Sequence, residues 1–367
     1  MNKSIISAAA LAAFAVPAQA VETDVYLSGN IAFSASHHSA ESGDTSAVKN
    51  NASRIGLYAS AEQDGVRAFV VYERGFDGYN PNINSEDNQD VVRAFFGGVA
   101  GSYGTLIYGR AKSDYRLTGE AVDPFYNTSV IGFTGGFARG GANYGLSNLS
   151  NGFSDNALIY RSNDYSGLRF NTAVYVNDST GNDPNDKHDY GAGAAWHTGG
   201  LLAEGDELEV GVQYLDINNT AASGVPFDPA ASVGGSPGVS TNTRLYSRYA
   251  HGEAWSLGLS VENVDVDAEQ DARLYSYLSG TWKWTDKTRL AAGVSFLDFE
   301  AGSPDISGTG YTVGAFHSVV DNLQTYAAVR YVDYDETRGN GDTDTTCLLY
   351  TSPSPRDQRG SRMPSSA

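Results

Sequence analysis

The sequence predicts an all-β fold of the transmembrane antiparallel β-barrel type, and three observations predict it. Segments in which apolar and polar residues alternate recur about once every twenty residues from Asp24 to Asp335, an export signal precedes them, and the connections between them are alternately long and short. Alternation places apolar side chains on one face of a strand and polar side chains on the other. Because a soluble sandwich alternates as well, the export signal and the sorting of the connections decide for the membrane fold.

The N-terminus has the three parts of a secretory signal. Lys3 supplies the positive charge, residues 5–16 the apolar stretch, and Ala18-Gln19-Ala20 the small-residue cleavage site. No later stretch approaches the ~20 apolar residues that a membrane-spanning helix needs. We therefore predict a signal peptide at 1–20, export, and a mature chain that crosses the membrane without helices.

Composition narrows the class further. Cysteine occurs once, so no internal disulfide can form. The formal net charge of −19 argues against nucleic acid as a partner, since its phosphates require Lys and Arg. No linker rich in Pro or Ser divides residues 21–340, which predicts a single structural unit.

The alternation is clearest over residues 254–264 and 273–284. In the first of these segments Trp255 and Leu257 share one face, and Ser256 lies on the opposite face. The same pattern predicts about fifteen strands, near 24–35, 53–62, 66–76, 91–99, 104–111, 156–162, 167–177, 188–197, 206–216, 241–251, 254–265, 272–284, 288–299, 308–319 and 323–335.

The connections between these strands are of two kinds. The long ones are polar and lie at 36–52, 77–90, 112–155, 178–187, 217–240 and 336–346. The short ones lie at 63–65, 163–166, 252–253, 285–287 and 321–322. Short turns on one rim and long loops on the other are typical of a transmembrane barrel, whose rims face the periplasm and the cell exterior. An open edge would leave backbone groups unpaired in hydrocarbon, so we expect the sheet to close.

The predicted number of strands is odd, whereas bacterial single-chain barrels have an even number. Alternation stops near Thr346, and the tail at 347–367 holds Cys347 and three arginines without an apolar face. We therefore expect a barrel at 21–346 that lacks the last of sixteen strands, followed by a non-native or disordered tail.

Several short segments, in this order along the chain, resemble general Gram-negative porins. They are SRIG at 53–56, GVRAF at 65–69, YERGF at 72–76, VVRAFFGG at 91–98, SYGT at 102–105, YGR at 108–110, NALIYRS at 156–162 and YSGL at 165–168. The resemblance implies a sixteen-stranded, trimeric, water-filled channel of the outer membrane for small hydrophilic solutes. The chain departs from the family at its C-terminus, where a final strand ending in an aromatic residue, usually Phe, is expected.

The longest connection, 112–155, is the candidate for the narrowest part of the channel. A stretch of this length without its own alternation is unusual in a compact domain and is often functional. The resemblance implies that this loop folds into the lumen, where it would present Glu120 and Asp123. A loose surface loop is the alternative that the residues leave open.

Strand parity selects two arginines for the opposite wall. Arg54 lies opposite Ile55, and Arg93 lies opposite Ala94 and Phe96, so the period of two points both arginines into the lumen.

The resemblance implies that Arg54 and Arg93 belong to a basic wall that faces the acidic loop, with Arg110 and Arg139 as further members. Such an arrangement predicts a transverse field across the constriction, which would separate the paths of cations and anions. The alternative is that Arg54 and Arg93 pair with lumenal acids such as Glu73 and only keep the wall solvated.

Two further expectations concern selectivity and the membrane boundary. The excess of acidic over basic residues suggests a mild preference for cations. Aromatic residues near strand ends predict interfacial girdles, namely Trp196, Tyr214, Trp255, Trp282, Trp284 and Tyr331.

Other functions remain open beside a general diffusion channel. A surface adhesion or binding barrel would use the long loops, and a substrate-specific sugar porin would line its lumen with a run of aromatic residues. An enzyme would need a catalytic motif, and the six scattered histidines accompany none. We expect no catalytic residue, cofactor or bound metal. The expected partners are outer-membrane lipid and lipopolysaccharide, further copies in a homotrimer, and small polar solutes and ions, with no nucleic acid.

Overall fold

The computed structural model describes residues 22–30, 33–38, 45–50, 53–75, 92–126, 128, 153–176, 188–218, 240–266, 272–299, 306–320 and 323–336. The predicted signal peptide at 1–20, the tail at 347–367 and Arg139 lie outside these described residues.

The described part of the chain contains seventeen strands and one helix. The strands are β1 Glu22–Asn30, β2 Phe33–His38, β3 Thr45–Asn50, β4 Arg54–Gln63, β5 Val66–Gly75, β6 Val92–Gly101, β7 Gly104–Ala111, β8 Ser154–Arg161, β9 Leu168–Tyr175, β10 Asp189–Gly199, β11 Asp206–Ile217, β12 Ser240–His251, β13 Trp255–Val266, β14 Arg273–Lys283, β15 Thr288–Phe299, β16 Ile306–Val320 and β17 Leu323–Glu336. The helix, α1, is Asp114–Val122 and lies between β7 and β8.

Fifteen of the strands form one sheet, in the order β1, β4 and then β5 to β17 in sequence. Every neighbouring pair is antiparallel, so the wall is a meander of hairpins. The predicted fold class and the prediction of about fifteen wall strands are confirmed. Because each strand pairs with its sequence neighbours, short turns can join strand ends on one rim while long connections gather on the other.

Strands β2 and β3 form a separate two-stranded sheet inside the first long connection. The prediction of one strand at 24–35 followed by a polar connection at 36–52 is therefore wrong, because the wall strand ends at Asn30 and β2 begins at Phe33. Each of these strands has six residues, and they pair with each other rather than with the wall. A hairpin outside the wall needs no row of lipid-facing apolar residues, which is the signal that alternation detects.

The short connections lie where the sequence predicts them. Between β4 and β5, Asp64 and Gly65 have φ angles of 53° and 73°. Two successive residues in the left-handed region are what a two-residue type I′ hairpin turn requires. At the far end of the sheet, β16 ends at Val320 and β17 begins at Leu323, so two residues separate these strands.

The side chains of the wall are arranged inside out relative to a soluble protein. Along β13, Leu257 and Leu259 are 50% and 44% exposed, whereas Ser260 and Glu262 have no exposed surface. The six predicted girdle residues are between 38% and 61% exposed. An apolar exterior and a polar interior suit a wall with lipid outside. No helix within the described ranges is long and apolar enough to cross a bilayer.

The sheet curls round the segment that follows β7. Helix α1 packs against β10, β11, β12 and β13. Farther along, Phe125 contacts Phe316 of β16 and shares a buried cluster with Ala291 of β15 and Ala328 of β17. A segment attached to β7 reaches all of these strands only across the concave side of the sheet. The described start of the connection at 112–155 therefore lies on that concave side.

The alternation along β6 differs from the predicted one. Parity placed Ala94 and Phe96 on the outer face, but Ala94 is 4% exposed and Phe96 packs against the buried core. Phe95, which parity placed on the inner face together with Arg93, is instead 59% exposed. The prediction that Arg93 lies on the face opposite Ala94 and Phe96 by strict alternation is therefore wrong.

A register shift between β5 and β6 is the physical reason. Glu73 pairs with Ala94, and the next residue, Arg74, pairs with Val92. Arg93 is thus an extra residue, as in a β-bulge, and a bulge re-aims the side chains on either side of it. The Arg93 side chain nevertheless lies against Glu73, on the inner face.

Candidate pore constriction

The chain leaves β7 and begins α1 within three residues. The Ser113 hydroxyl accepts the backbone N–H of Arg116 at 3.1 Å, which satisfies a donor that the first helical turn leaves open. Asp114 adds a carboxylate in that turn, where the helix dipole favours negative charge. The same carboxylate is ion-paired with Arg161 of β8 at 2.8 Å. These neighbouring side chains both start the helix and tie its first turn to the wall.

Different contacts fix the far end of α1. The Ser279 hydroxyl of β14 donates to the Val122 carbonyl at 2.5 Å. Asp123 ends the helix and accepts the backbone N–H of Phe125 at 2.9 Å and the hydroxyl of Tyr277 at 3.1 Å. Asp123 is only 4% exposed. Through these two hydrogen bonds its carboxylate holds the end of α1 and the residues that follow against β14.

Phe125 anchors the residues beyond the helix. Its side chain has no exposed surface, and its ring centroid lies 5.8 Å from that of Phe316. A Cβ at Gly314 would come within 3.0 Å of the Phe125 ring, so the glycine leaves room for this contact. Burying a whole aromatic side chain supplies about 1.5–3 kcal/mol relative to exposure.

Arg54 and Arg93 meet at one carboxylate. Glu73 Oε2 lies 3.1 Å from Arg54 Nε, and Glu73 Oε1 lies 2.8 Å from Arg93 Nε. The three side chains are at most 22% exposed. This is the pairing with a lumenal acid that the sequence left open as the alternative. It joins two cations to one anion, so the trio carries a net positive charge.

A larger cluster of cations surrounds Phe153, the residue before β8. The centre of its ring lies 5.1 Å from Arg93 Cζ and 5.3 Å from Arg116 Cζ. It also lies 5.6 Å from Lys112 Nζ and 6.0 Å from Arg110 Cζ. The negative face of an aromatic ring attracts cations. Phe153 therefore helps to hold four like charges close together.

Two further carboxylates partly neutralise this Phe153 cluster. Asp155 pairs with Arg110 at 2.9 Å. Glu120 of α1 pairs with Lys112 at 2.9 Å and with Arg116 at 2.6 Å. Together with the trio described above, the described side chains of the cluster comprise five cations and three carboxylates, so their net charge is positive.

Glu120 is ionised in this setting. Burial alone would raise the pKa of Glu120, but the charges of Lys112 and Arg116 outweigh it and hold the pKa below its ordinary value. Arg116 lies four residues before Glu120, the spacing that brings two side chains together on a helix. Lys112 Nζ also donates to the Tyr126 hydroxyl at 2.6 Å, which ties this group to the segment beyond the helix.

The structure brings together four of the six predicted constriction residues, namely Arg54, Arg93, Arg110 and Glu120. Asp123 lies apart from them, against Tyr277 of β14. Arg139 belongs to the residues that the structure does not describe.

Sequence reasoning missed several residues of this region, namely Lys112, Arg116, Phe153 and the buried Arg244 of β12. The spacing of Arg116 and Glu120, together with Ser113 as a possible N-cap, indicates a helix inside the loop. Phe153 and Arg244 gave no signal, because their partners are distant in sequence and meet only when the sheet curls.

The arrangement can act on a solute by charge and by size. Part-buried charges interact strongly with an ion because little water screens them. Rings of charged side chains at a narrow place are a known basis of ion selectivity in channels. The described site has no need of bond-making groups for such a role.

An apolar exterior, a polar interior and a charged loop on the concave side of an antiparallel wall define the class of outer-membrane channel proteins. The model of the Gram-negative porin family matches residues 7–337, and the chain belongs to this family. Its location is therefore the outer membrane.

One curated relative is an outer membrane porin protein of Bordetella pertussis. It is 28% identical over 189 residues, which cover 46% of this chain. The matched stretch spans 47% of that relative, or about half of its length.

Several solved structures are similar in fold. The anion-selective porin from Comamonas acidovorans has a TM-score of 0.68 at 13% identity, covering 90% of this chain and 99% of that one. A loop L8 deletion mutant of OmpT from Vibrio cholerae has a TM-score of 0.62 at 17% identity, covering 90% and 99%. OmpF of Salmonella typhi in complex with daunomycin has a TM-score of 0.61 at 14% identity, covering 90% and 97%. At these identities the likeness concerns the fold.

Proposed function

We propose that the protein is an outer-membrane pore through which ions and small hydrophilic solutes diffuse passively. One observation carries the proposal, namely a charged helix on the concave side of an apolar-faced wall. Charges are costly to bring into a membrane protein, and they usually mark the path of an ion or a polar solute.

The proposed constriction lies on the concave side of the wall, beside the Phe153 cluster that joins α1 to β6 and β7. Its proposed lining residues are Arg54, Arg93, Arg110 and Glu120, with Arg139 as a further basic member and Asp123 as the residue that holds the end of the helix. Glu120 contributes little negative potential to this constriction, because its carboxylate is already paired with Lys112 and Arg116.

We propose that this pore prefers anions, in contrast to the mild cation preference that the overall composition suggests. A solute responds to charges near the constriction, because those farther away than about 8 Å are largely screened at physiological ionic strength. The described side chains of the Phe153 cluster, counted with Arg54 and Glu73, carry a net positive charge. One structural neighbour, from Comamonas acidovorans, is an anion-selective porin, and it supports this proposal by analogy.

We propose a homotrimer that is surrounded by outer-membrane lipid and lipopolysaccharide. A trimer form of OmpT from Vibrio cholerae is among the structural neighbours, with a TM-score of 0.59 and 16% identity, and it supports the oligomeric state. The exposed apolar belt, with Leu278 at 48% and Trp282 at 56%, supports the contact with lipid.

Planar-bilayer recording of the refolded protein tests these proposals. We expect stepwise conductance, and in a KCl gradient a reversal potential of the sign that marks anion preference. Neutralising two cluster cations, in Arg110→Gln with Lys112→Gln, should move that potential toward cation preference. The matched control is Arg169→Gln, which removes a lumenal cation that is 46% exposed near the short-turn rim and lies outside the cluster.

Each outcome has a defined meaning. Absence of conductance steps contradicts the pore and is the result that a surface adhesion barrel would give. A reversal potential that moves equally in the control and in the double variant contradicts the assignment of the constriction. Block of the current by a low concentration of a sugar would favour a sugar-specific porin.

A further inference from the structure

Arg244 and Glu262 form an ion pair with no exposed side-chain surface, in which Arg244 Nη2 lies 3.1 Å from Glu262 Oε2. They lie directly opposite each other, Arg244 in β12 and Glu262 in β13. The same guanidinium donates to the Tyr115 carbonyl of α1 and reaches the Thr118 hydroxyl at 3.4 Å. It also stacks on the Tyr115 ring, with Cζ 4.1 Å from the ring centre. One wall side chain thus holds the first turn of the helix.

Stability is a poor explanation for this pair. Removing two charges from water costs several kcal/mol per ion, on the order of what their attraction returns. An apolar pair of the same volume is often as stable or more stable. Hydrogen bonds differ from apolar contacts in that they have a preferred distance and direction. What Arg244 adds is therefore a fixed distance and orientation of α1 relative to β12 and β13.

The two ends of the helix are held independently. Arg244 binds near the first turn, whereas Ser279 and the pair of Asp123 with Tyr277 hold the last turn from β14. Losing Arg244 should therefore loosen the first turn, which keeps the pair of Asp114 with Arg161, without releasing the loop from the wall. Lys112 and Arg116, which belong to the Phe153 cluster, lie beside that turn.

We propose that Arg244 is a positioning residue for permeation: with Glu262 as its counter-ion, it holds the first turn of α1 against the wall and thereby sets the width of the constriction. This proposal rests on the proposed diffusion function. The residue touches no solute and acts through the helix that it holds.

The test compares two variants in planar bilayers and in unfolding experiments. Arg244→Met combined with Glu262→Leu replaces the pair by apolar side chains, so that no buried charge is left alone. We expect the free energy of unfolding to be unchanged or higher, while the single-channel conductance and the open-channel noise both rise. The matched control is Arg248→Met, which removes the same charge from the same face of β12, four residues nearer the short turn.

Three results would overturn the positioning role. They are wild-type conductance and noise in the double variant, an equal rise in Arg248→Met, or a double variant that unfolds more easily than the control, which would make the pair a stabilising element. Absence of conductance steps in the unaltered protein is a separate outcome, because it contradicts the diffusion function itself. A single Arg244→Lys variant should give intermediate noise, since an ammonium keeps the charge but loses the planar fork.

Discussion

At the scale of the residue, one extra residue in β6 decides which side chains face the lumen. The shift at Arg93 turns Phe95 outward and Ala94 inward, while Arg93 stays beside Glu73. The extra residue reverses the faces of the side chains that follow it, and the residue types of β6 alone do not indicate this reversal. The charges that meet at Glu73 are therefore set by register as much as by residue type.

Replacing Glu120 should make stability depend less on pH. The pKa of Glu120 lies below its ordinary value in the folded protein. The stabilising effect of its pairing is therefore complete above the pKa of an unfolded carboxyl, about 4.3, and is lost as pH falls through the lower folded value. Glu120→Gln should cost about 1–3 kcal/mol at neutral pH, and this difference should shrink in acid.

Denaturant unfolding in lipid vesicles at a series of pH values measures this difference. The control is Glu253→Gln, which removes an acid that is 88% exposed and pairs with Lys283 at 2.9 Å. Exposed pairs contribute little, so the control should stay near the wild type at every pH. A difference for Glu120→Gln that is constant down to strong acid would contradict the prediction.

Gly109 tests the backbone beside the cluster. Its φ is +136°, and a Cβ there would lie 2.3 Å from the Phe95 carbonyl oxygen. Gly109→Ala should therefore destabilise the protein by about 1–3 kcal/mol through strain, and by more if the clash with β6 is not relieved. Gly200→Ala is the control, because its φ is +70° but no atom lies within 4 Å of its Cβ position. Equal losses in urea unfolding would mean that the contact with β6 is unimportant.

At the scale of the element, α1 is a short helix that is held by its surroundings. It spans nine residues, and isolated helices of this length are marginal in water. Contacts at its two ends stabilise it, namely the cap at Ser113, the ion pair of Asp114 with Arg161 and the burial of Phe125. The position of the helix in the lumen thus depends on contacts with strands far along the chain.

Phe125→Ala should release the segment beyond α1. The lost burial and the cavity left among Phe316, Ala291 and Ala328 cost about 3–5 kcal/mol for a fully buried Phe. We expect higher open-channel noise and faster proteolysis of the loop, with the wall intact. The control is Tyr165→Ala, an aromatic residue that is 53% exposed near the short-turn rim. Loop cleavage at the wild-type rate would contradict the anchor.

At the scale of the whole molecule, the fold is defined by the reversal of the usual distribution of apolar and polar residues. Exposed leucines on one face and buried serines on the other occur along β13 and β14. The exposed leucines suit the lipid contact proposed above, and contacts with the in-folded helix account for much of the second row. Ser279 and Tyr277 of β14, for example, both bond to the end of α1.

Leu278→Arg tests the outward face directly. Leu278 is 48% exposed near the middle of β14. An arginine on the lipid face costs about 2–4 kcal/mol at the bilayer midplane. The variant should therefore unfold more easily in lipid vesicles, whereas Leu278→Met, which keeps the apolar face, should not. Equal stability of the two variants would mean that this face does not contact hydrocarbon.

The wall could be predicted from sequence because its signal is local. Alternation needs only a residue and its near neighbours, so strands such as β13 and β14 were found with their faces correctly assigned. The same method failed at Arg93, where one extra residue breaks the period, and in the first connection, where β2 and β3 pair outside the wall.

The candidate site was only partly predictable. Parity and family resemblance selected Arg54, Arg93, Arg110 and Glu120, which lie in one cluster. They did not select Phe153 and Arg244, because contacts of this kind join residues that are far apart in sequence.

By itself, then, the sequence determined the class of fold, the sorting of the connections and the outward apolar face, since each follows from the spacing of residues along a strand. Only the tertiary structure decided that Glu120 lies among cations, that Asp123 serves as an anchor, and that Arg244 reaches α1. These contacts depend on the curvature of the sheet, which brings β12 to the helix that follows β7, and curvature is a property of all the strands together.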